Sequence, residues 1–198
     1  MKSKKTIIIC ALVTILILGG VISAVSLLFN HPLHIEKPTF IYIDRDDTAD
    51  SVYVKLQRDL NATHLTGFKM LARLKKYDQQ IHSGAYRFDA SINTLTLFRR
   101  LSSGHQTPVK VVIPSVRTLS RLARSLDRQL MPDSTEFARL VGDSAFCASL
   151  GFSLETMPAL FIPNTYEAYW NTDAEAFIQR MKKEYERFWT QERKDKAQ

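Results

Sequence analysis

Apolar and polar positions along the chain fall into distinct regimes, and each predicts a different kind of element. Residues 7–29 run without a charged side chain; as a helix they extend about 35 Å, against a bilayer hydrocarbon core of about 30 Å. Such a run is long enough to span. Downstream the pattern turns periodic. Thr39, Phe40, Ile41, Tyr42 and Ile43, ended by Asp44-Arg45-Asp46-Asp47, predict a strand and a turn. Ala49, Val52, Leu56 and Leu60 then recur at helical spacing behind Thr48 or Asp47 as N-cap. The spacing predicts a second helix over residues 66–77, with Phe68, Leu71, Ala72 and Leu74 inward and Lys75-Lys76 favourably placed at its C-terminus. A turn and strand follow over residues 83–88. A helix over residues 93–102 buries Leu97, Phe98 and Leu101, and Gly104 closes it.

Residues 109–114 give the clearest strand outside the apolar run. In the helix predicted after it, over residues 118–130, Leu119, Leu122, Ala123, Leu126 and Leu130 build one apolar face. Pro132 breaks this helix, and Asp133 with Glu136 opens another that buries Phe137, Leu140 and Val141 and ends at Gly142. Thr172 and Glu175, in capping-box spacing, open a final helix edged by Phe177, Met181, Tyr185, Phe188 and Trp189. From Gln191 onward the tail is polar, so that aromatic edge has little remaining sequence to pack against. The fold class expected is α+β. It comprises a cytoplasmic tip and single transmembrane helix (residues 1–30), a proline-bearing linker (31–38), a βααβ subdomain (39–106), and the start of a mixed α/β region ending in a long helix (107–198).

Composition changes this picture in three places. Lys2, Lys4 and Lys5 precede the apolar run, so the positive-inside rule puts the N-terminus in the cytoplasm and the bulk of the chain outside. A cleaved signal peptide fits less well, because the run exceeds a typical apolar region and Ile22 stands where a small residue is wanted before Ala24. Cys10 and Cys147 fall on opposite sides of that partition, so no intramolecular disulfide is expected. The net charge of +7 is uneven: between Met70 and Leu130 there are eleven Lys/Arg against three Asp/Glu. For an exported chain, the counterions of such a basic stretch are anionic lipids or wall polymers rather than nucleic acid.

Three segments behind the apolar run carry a resemblance. Ser83-Gly84-Ala85-Tyr86 is followed by Leu97, Leu101 and Ser103-Gly104; Val111-Val112-Ile113-Pro114 leads into a helix; and residues 160–172 begin Leu160-Phe161-Ile162-Pro163-Asn164-Thr165-Tyr166. In this order they resemble the endolytic murein transglycosylases, the YceG-like (MltG) family, whose loop reads roughly Leu-Phe-Pro-Asp-Thr-Tyr. The resemblance implies a LysM-like, carbohydrate-binding subdomain over residues 39–106 and the N-terminal part of a catalytic region over 107–198. Departures stand beside the match. Ser115-Val116-Arg117 follows Pro114 where the family has Glu-Gly, Asn164 replaces the usual Asp, and Pro158-Ala159-Leu160 precedes Phe161 in place of Glu-Gly-Tyr.

The reaction so implied cleaves nascent glycan strands at MurNAc-GlcNAc links, leaving 1,6-anhydroMurNAc ends and limiting strand length. It needs one partly buried glutamate with a raised pKa, which the family carries in an Ile-Ile-Glu-like helical motif. No such motif occurs here. Of the glutamates after Leu150, only Glu167 lies among aromatics; Glu155, Glu175, Glu184, Glu186 and Glu192 have ordinary surface contexts. No catalytic residue is therefore assigned, the acid is expected beyond Gln198, and the chain alone is expected to be inactive. Asn164, Tyr166 and Trp170 are the candidate saccharide contacts, since rings stack on sugars and an amide bonds hydroxyl or acetamido groups; the competing role for the rings is packing on the final helix. His31 and His34 flank Pro32 with no further ligand nearby, so no metal is expected, and no cofactor motif is present. The partners implied are peptidoglycan strands, the bacterial cell membrane and cell-wall synthesis proteins. The rival reading is a non-enzymatic, single-pass envelope protein that binds glycan or partner proteins.

Overall fold

The computed structural model describes residues 2–30, 32–62, 65–89, 92–115 and 118–197, with the side chains of residues 2–8, 11, 28 and 197 outside that description. His31, Val116 and Arg117, which figured in the sequence reading, lie outside the described residues. The chain divides into two compact units, Met1–Gln106 and Thr107–Gln198.

The first unit begins with α1 (Lys2–Phe29), one continuous helix of 28 residues. Every described side chain on it before Leu28 is exposed, and Phe29 is the first to be half-buried. Among the described residues no helix is long and apolar enough to cross a membrane. The linker expectation needs correcting. β1 (Pro32–Leu33) pairs antiparallel with β4 (Ile92–Asn93), and Leu33 and Ile35 are buried in the core. A few apolar side chains without periodicity are enough to tie a segment down when a neighbouring strand end offers unpaired backbone groups.

β2 (Thr39–Ile43) pairs antiparallel with β3 (Gly84–Phe88), Ile41 opposite Tyr86 and Ile43 opposite Gly84. Between them run α2 (Ala49–Leu60) and α3 (Thr66–Leu74), so the order strand, helix, helix, strand is as the periodicity predicts. Thr48 caps α2 through a reciprocal box with Ser51. Lys55 ties the turn before it, its Nζ donating to Asp44 at 2.7 Å and also to Asp47. α3 stops earlier than expected: Lys76 takes a left-handed φ of 51°, and Tyr77 enters a short 3-10 turn that buries its ring. Leu74, expected inward, is 68% exposed, because six residues on from Phe68 it has rotated about 240° around the helix. α4 (Thr94–Ser102) is capped by Asn93, whose side chain accepts from Thr96 N at 2.7 Å. The core joins these elements through rings: Phe68 meets Phe98 at 5.6 Å and Tyr77 at 6.0 Å, both edge-on. Gly104, with φ +65° and the His82 side chain 3.0 Å from where a Cβ would sit, ends α4 in a conformation that favours glycine.

The second unit pairs β5 (Val109–Ile113) with β6 (Asn164–Ala168), again antiparallel. Segments expected as loop thus form a strand: the run 160–172 contains β6, whose Tyr166 and Ala168 are buried while Thr165 and Glu167 face out. The alternation was masked by the polar ends of the segment. α5 (Leu119–Asp127) packs on β5 and on α6 (Ser134–Val141), which packs on α7 (Ser144–Ser149) and α8 (Ala174–Phe188). α5 is shorter than predicted, yet Leu130 stays buried in the turn that follows. Gln129 in that turn acts as a strand substitute, its Oε1 accepting from Val112 N at 2.7 Å and its Nε2 donating to Val112 O at 3.0 Å. Asp133 caps α6 as expected. For α8, however, the cap is Asp173, which accepts from Ala176 N at 2.7 Å, rather than Thr172. The expected long final helix breaks at Trp189 and resumes as α9 (Gln191–Ala197).

Phe68→Ala should destabilise the first unit by about 3–5 kcal/mol, read as a fall in its melting transition. A second outcome concerns pH. Burial by itself would raise the Asp47 carboxyl, but hydrogen bonds from Lys55 and Ser51 outweigh it and hold the group below its ordinary value. A depressed folded-state pKa contributes stability above the unfolded value of about 4 and loses it as pH falls through the folded value. Asp47→Asn should therefore flatten the acid limb of the first unit's stability profile below about pH 4, measured by denaturant titrations at a series of pH values.

Candidate functional site

The register of the β5–β6 ladder brings two distant segments to one place. Ile113 lies opposite Asn164, so the Ile113-Pro114 turn and the Ile162-Pro163 turn leave the same end of the pair, though fifty residues of chain separate them. Beside that end opens a groove of ≈ 430 Å³. One wall is Pro114, Ser115, Leu119 and Leu122, from the turn into α5; the facing wall is Phe161, Ile162 and Pro163; the end of α8 supplies Tyr185, Phe188 and Trp189. The three rings hold one another, Phe188 meeting Trp189 edge-on at 5.2 Å and Tyr185 lying 6.4 Å from Trp189. Tyr185 is braced from behind by Phe152 at 5.1 Å. Among the described residues that line this groove, none carries a carboxyl, ammonium or guanidinium group.

A smaller cavity of ≈ 210 Å³ adjoins it, sharing Ile162 and Phe188 and adding Asn164, Tyr166, Glu184, Arg187 and Arg193. Its charges are partly matched: Arg187 bonds Glu184 at 3.0 Å. The Arg193 guanidinium lies 4.3 Å from the centre of the Phe188 ring and donates to Phe188 O at 2.8 Å. These contacts brace the break between α8 and α9, where the Phe188 carbonyl accepts from Thr190 N at 3.1 Å as well as from the arginine.

Of the three residues singled out from the sequence, two come together and one does not. Asn164 and Tyr166 share a face of β6 and line the smaller cavity. The Asn164 side chain is exposed, and its Oδ1 accepts from Thr165 N at 2.8 Å. Tyr166 is packed: its ring is 8% exposed, and its hydroxyl donates to Ile162 O at 2.9 Å, locking the turn that forms one groove wall. Burial pushes the Tyr166 hydroxyl up, with Glu184 adding to the shift and Arg180 opposing it. Trp170 lies past the opposite end of β6, where its carbonyl accepts from Met131 N at 2.8 Å, and it lines neither cavity.

Glu167, the glutamate set among aromatics, faces outward from β6 in the pair with Lys110. Ser153 donates to Glu155 at 2.7 Å and holds that carboxyl below its usual range, the reverse of what a general acid requires. Among the described residues no group of three or more His, Cys, Asp or Glu could hold a metal. What the sequence reading missed is that Tyr185, Phe188 and Trp189, noted only as an uncovered helix edge, would meet Phe161 and Ile162 across a groove. The signal was available in the two Ile-Pro dipeptides, each ending or preceding a strand, since strands that pair antiparallel bring one's end beside the other's start.

An α+β unit with paired Ile-Pro turns beside an aromatic groove is the class of structure these elements define. The sequence model of the YceG-like family matches residues 41–198, and the chain belongs to that family. Among solved structures, the crystal structure of a YceG-like protein from Listeria monocytogenes is similar at 18% identity and a TM-score of 0.42, covering 80% of this chain and 58% of that one. The present chain thus spans less than two thirds of that protein. No curated protein sequence matches it.

Tyr166→Phe removes the hydroxyl that ties the Ile162 turn to β6. It should cost about 0.5–1.5 kcal/mol in the second unit, seen as a modest fall in its denaturation midpoint with secondary structure unchanged.

Proposed function

We propose that this protein is a membrane-anchored member of the endolytic peptidoglycan lytic transglycosylases, and that it holds a glycan strand of the cell wall against the groove beside Pro114 and Pro163. The observation that carries this reading is the groove itself. Both turns that match the family's pattern border it, and Tyr185, Phe188 and Trp189 present rings of the kind that stack on sugar faces. In the intact activity the strand would be cut between MurNAc and GlcNAc, leaving 1,6-anhydro ends that limit its length. Residues 39–106 would serve as a LysM-like glycan-binding subdomain. α1, a continuous helix that has three lysines in its first turn and ends at Phe29, supports an anchor with the N-terminus in the cytoplasm and the rest of the chain outside the bacterial cell membrane. Cell-wall synthesis proteins would be the partners of such an anchored enzyme.

A second reading has an observation of its own. Among the described residues of the groove's lining there is no carboxyl group, so these side chains can contact a sugar strand but cannot protonate a glycosidic oxygen. On this basis the chain by itself binds without cutting, as the rival class of non-enzymatic, single-pass envelope protein would.

With the full chain in detergent micelles and purified peptidoglycan as probe, retention on the glycan without release of 1,6-anhydromuramyl products is the expected result. Trp189→Ala should weaken retention about tenfold, a loss of about 1.4 kcal/mol, with the melting temperature of the second unit nearly unchanged. Release of anhydro products would show that a carboxyl outside the groove's lining does the chemistry. Retention that Trp189→Ala leaves intact would sink the groove as the binding site.

A further inference from the structure

The outer face of α3 combines exposed apolar and basic side chains. Thr66, Lys69, Met70, Arg73 and Leu74 follow one another at helical spacing, all five are exposed, and together they line a shallow cavity. Met70 is 48% and Leu74 68% exposed, and Leu74 is the most exposed of the large hydrophobic residues described beyond α1. Lys75 and Lys76 follow at once, both exposed. α3 itself has no acidic residue, and Arg73, Lys75 and Lys76 form no ion pair among the described residues. Lys69 leans over the Tyr53 ring at 5.2 Å. The nearest opposing carboxylates, Asp50 and Asp78, belong to the neighbouring cavity that Lys69, Arg73 and Lys76 also border.

Position gives this patch its meaning. α3 and α4 both touch α1, and α1 has no half-buried side chain described before Phe29. Contact is thus made where the apolar helix leaves the folded unit, and β1 begins three residues later, at Pro32. With so short a connection, α3 cannot swing far from the mouth of α1.

We propose that α3 is a membrane-interface element, with Met70 and Leu74 entering the headgroup region and Lys69, Arg73, Lys75 and Lys76 binding anionic phospholipid headgroups around the exit point of α1. This deepens the anchor reading above and rests on it. Two apolar side chains rimmed by four cations match the chemistry of an anionic interface, where each Lys or Arg near the surface adds attraction and the aliphatic side chains add insertion. A wall polymer with free carboxylates would satisfy the cations but has no use for Met70 and Leu74.

The test places an environment-sensitive fluorophore at Leu74→Cys in a Cys10→Ala background, the full chain being reconstituted in vesicles of phosphatidylcholine alone or with added phosphatidylglycerol. Blue-shifted emission, quenched by lipids spin-labelled near the headgroup and appearing only with phosphatidylglycerol, is expected. Arg73→Glu and Lys76→Glu should each lower the inserted-to-free ratio about fivefold or more, while emission from a probe at exposed Val54→Cys stays fixed. Emission at residue 74 that ignores lipid composition, or that responds only to soluble wall polymer, overturns the proposal while the anchor stands. Failure of the chain to float with phosphatidylcholine vesicles overturns the anchor reading and this one together.

Discussion

Among the described residues every ladder has only two strands, and a two-stranded ribbon is at best marginally stable in water without something packed on one face. The rest of the structure follows from meeting that constraint twice. In the first unit Ile41, Ile43, Tyr86 and Phe88 turn one face of β2 and β3 onto Val52, Leu56, Phe68 and Leu97. In the second, Val109, Val111, Ile113, Tyr166 and Ala168 are buried while Lys110, Val112, Thr165 and Glu167 face out. The helices that cover these faces are bound to each other by aromatic edges, Phe137 against Phe177 at 6.0 Å in the second unit. Gln129 meets the remaining difficulty, the open edge of β5, by presenting a side-chain amide where a third strand would present a peptide.

The same constraint explains what could be read from the residues and what could not. Positions whose neighbours repeat at one period declared themselves: the strand at 39–43, the apolar stripes of α2, α4 and α6, and the caps Thr48 and Asp133 all lie where periodicity and capping chemistry put them. Errors gathered where an outcome is decided by partners far along the chain. Residues 164–168 carry Asn, Thr and Glu, which read as loop, and become a strand only because β5 supplies the ladder and the helices receive Tyr166. Leu33 and Ile35 looked like linker because their burial depends on strand ends sixty residues away. Thr172 and Asp173 were both competent caps, and the choice fell to the carboxylate, which accepts charge-assisted bonds more strongly at a helix N-terminus. As for the candidate site, Asn164, Tyr166 and Trp170 were singled out for the chemistry of their side chains, and the first two line the smaller cavity. The groove's aromatic wall was not singled out, since no local rule says which helix end will face which turn.

The basic middle of the chain shows how a sum over sequence can mislead. Its cations straddle the division at Gln106, so Arg73, Lys75 and Lys76 belong to one unit and Arg121, Arg124 and Arg128 to the other. Each group has to be weighed with its own neighbours. In the first unit Arg100 is spent within the fold, lying 4.8 Å over the Phe88 ring and donating to Arg87 O. On α3 the cations lie beside exposed apolar side chains instead, which is why that helix and not the whole stretch carries a surface role.

Electrostatics also separate what this chain can hold from what it can cut. Cleaving a glycosidic bond needs a carboxylic acid whose pKa has been raised by burial or by a like charge. The groups that burial raises here are of another kind. Tyr86 is pushed up to about 12 while its hydroxyl donates to His82 O, Tyr77 is raised further in the core, and the Cys147 thiol is raised beneath α6. The two carboxyls with a resolved shift, Asp47 and Glu155, move the other way because donors hold their charged forms. Desolvation in this molecule therefore serves packing, and its carboxylates serve caps and turns. The groove walled by Phe161, Tyr185, Phe188 and Trp189 offers rings and shape, on which the proposed contact with a sugar strand depends, whereas the chemistry of cleavage asks for an acid that is absent from its described lining.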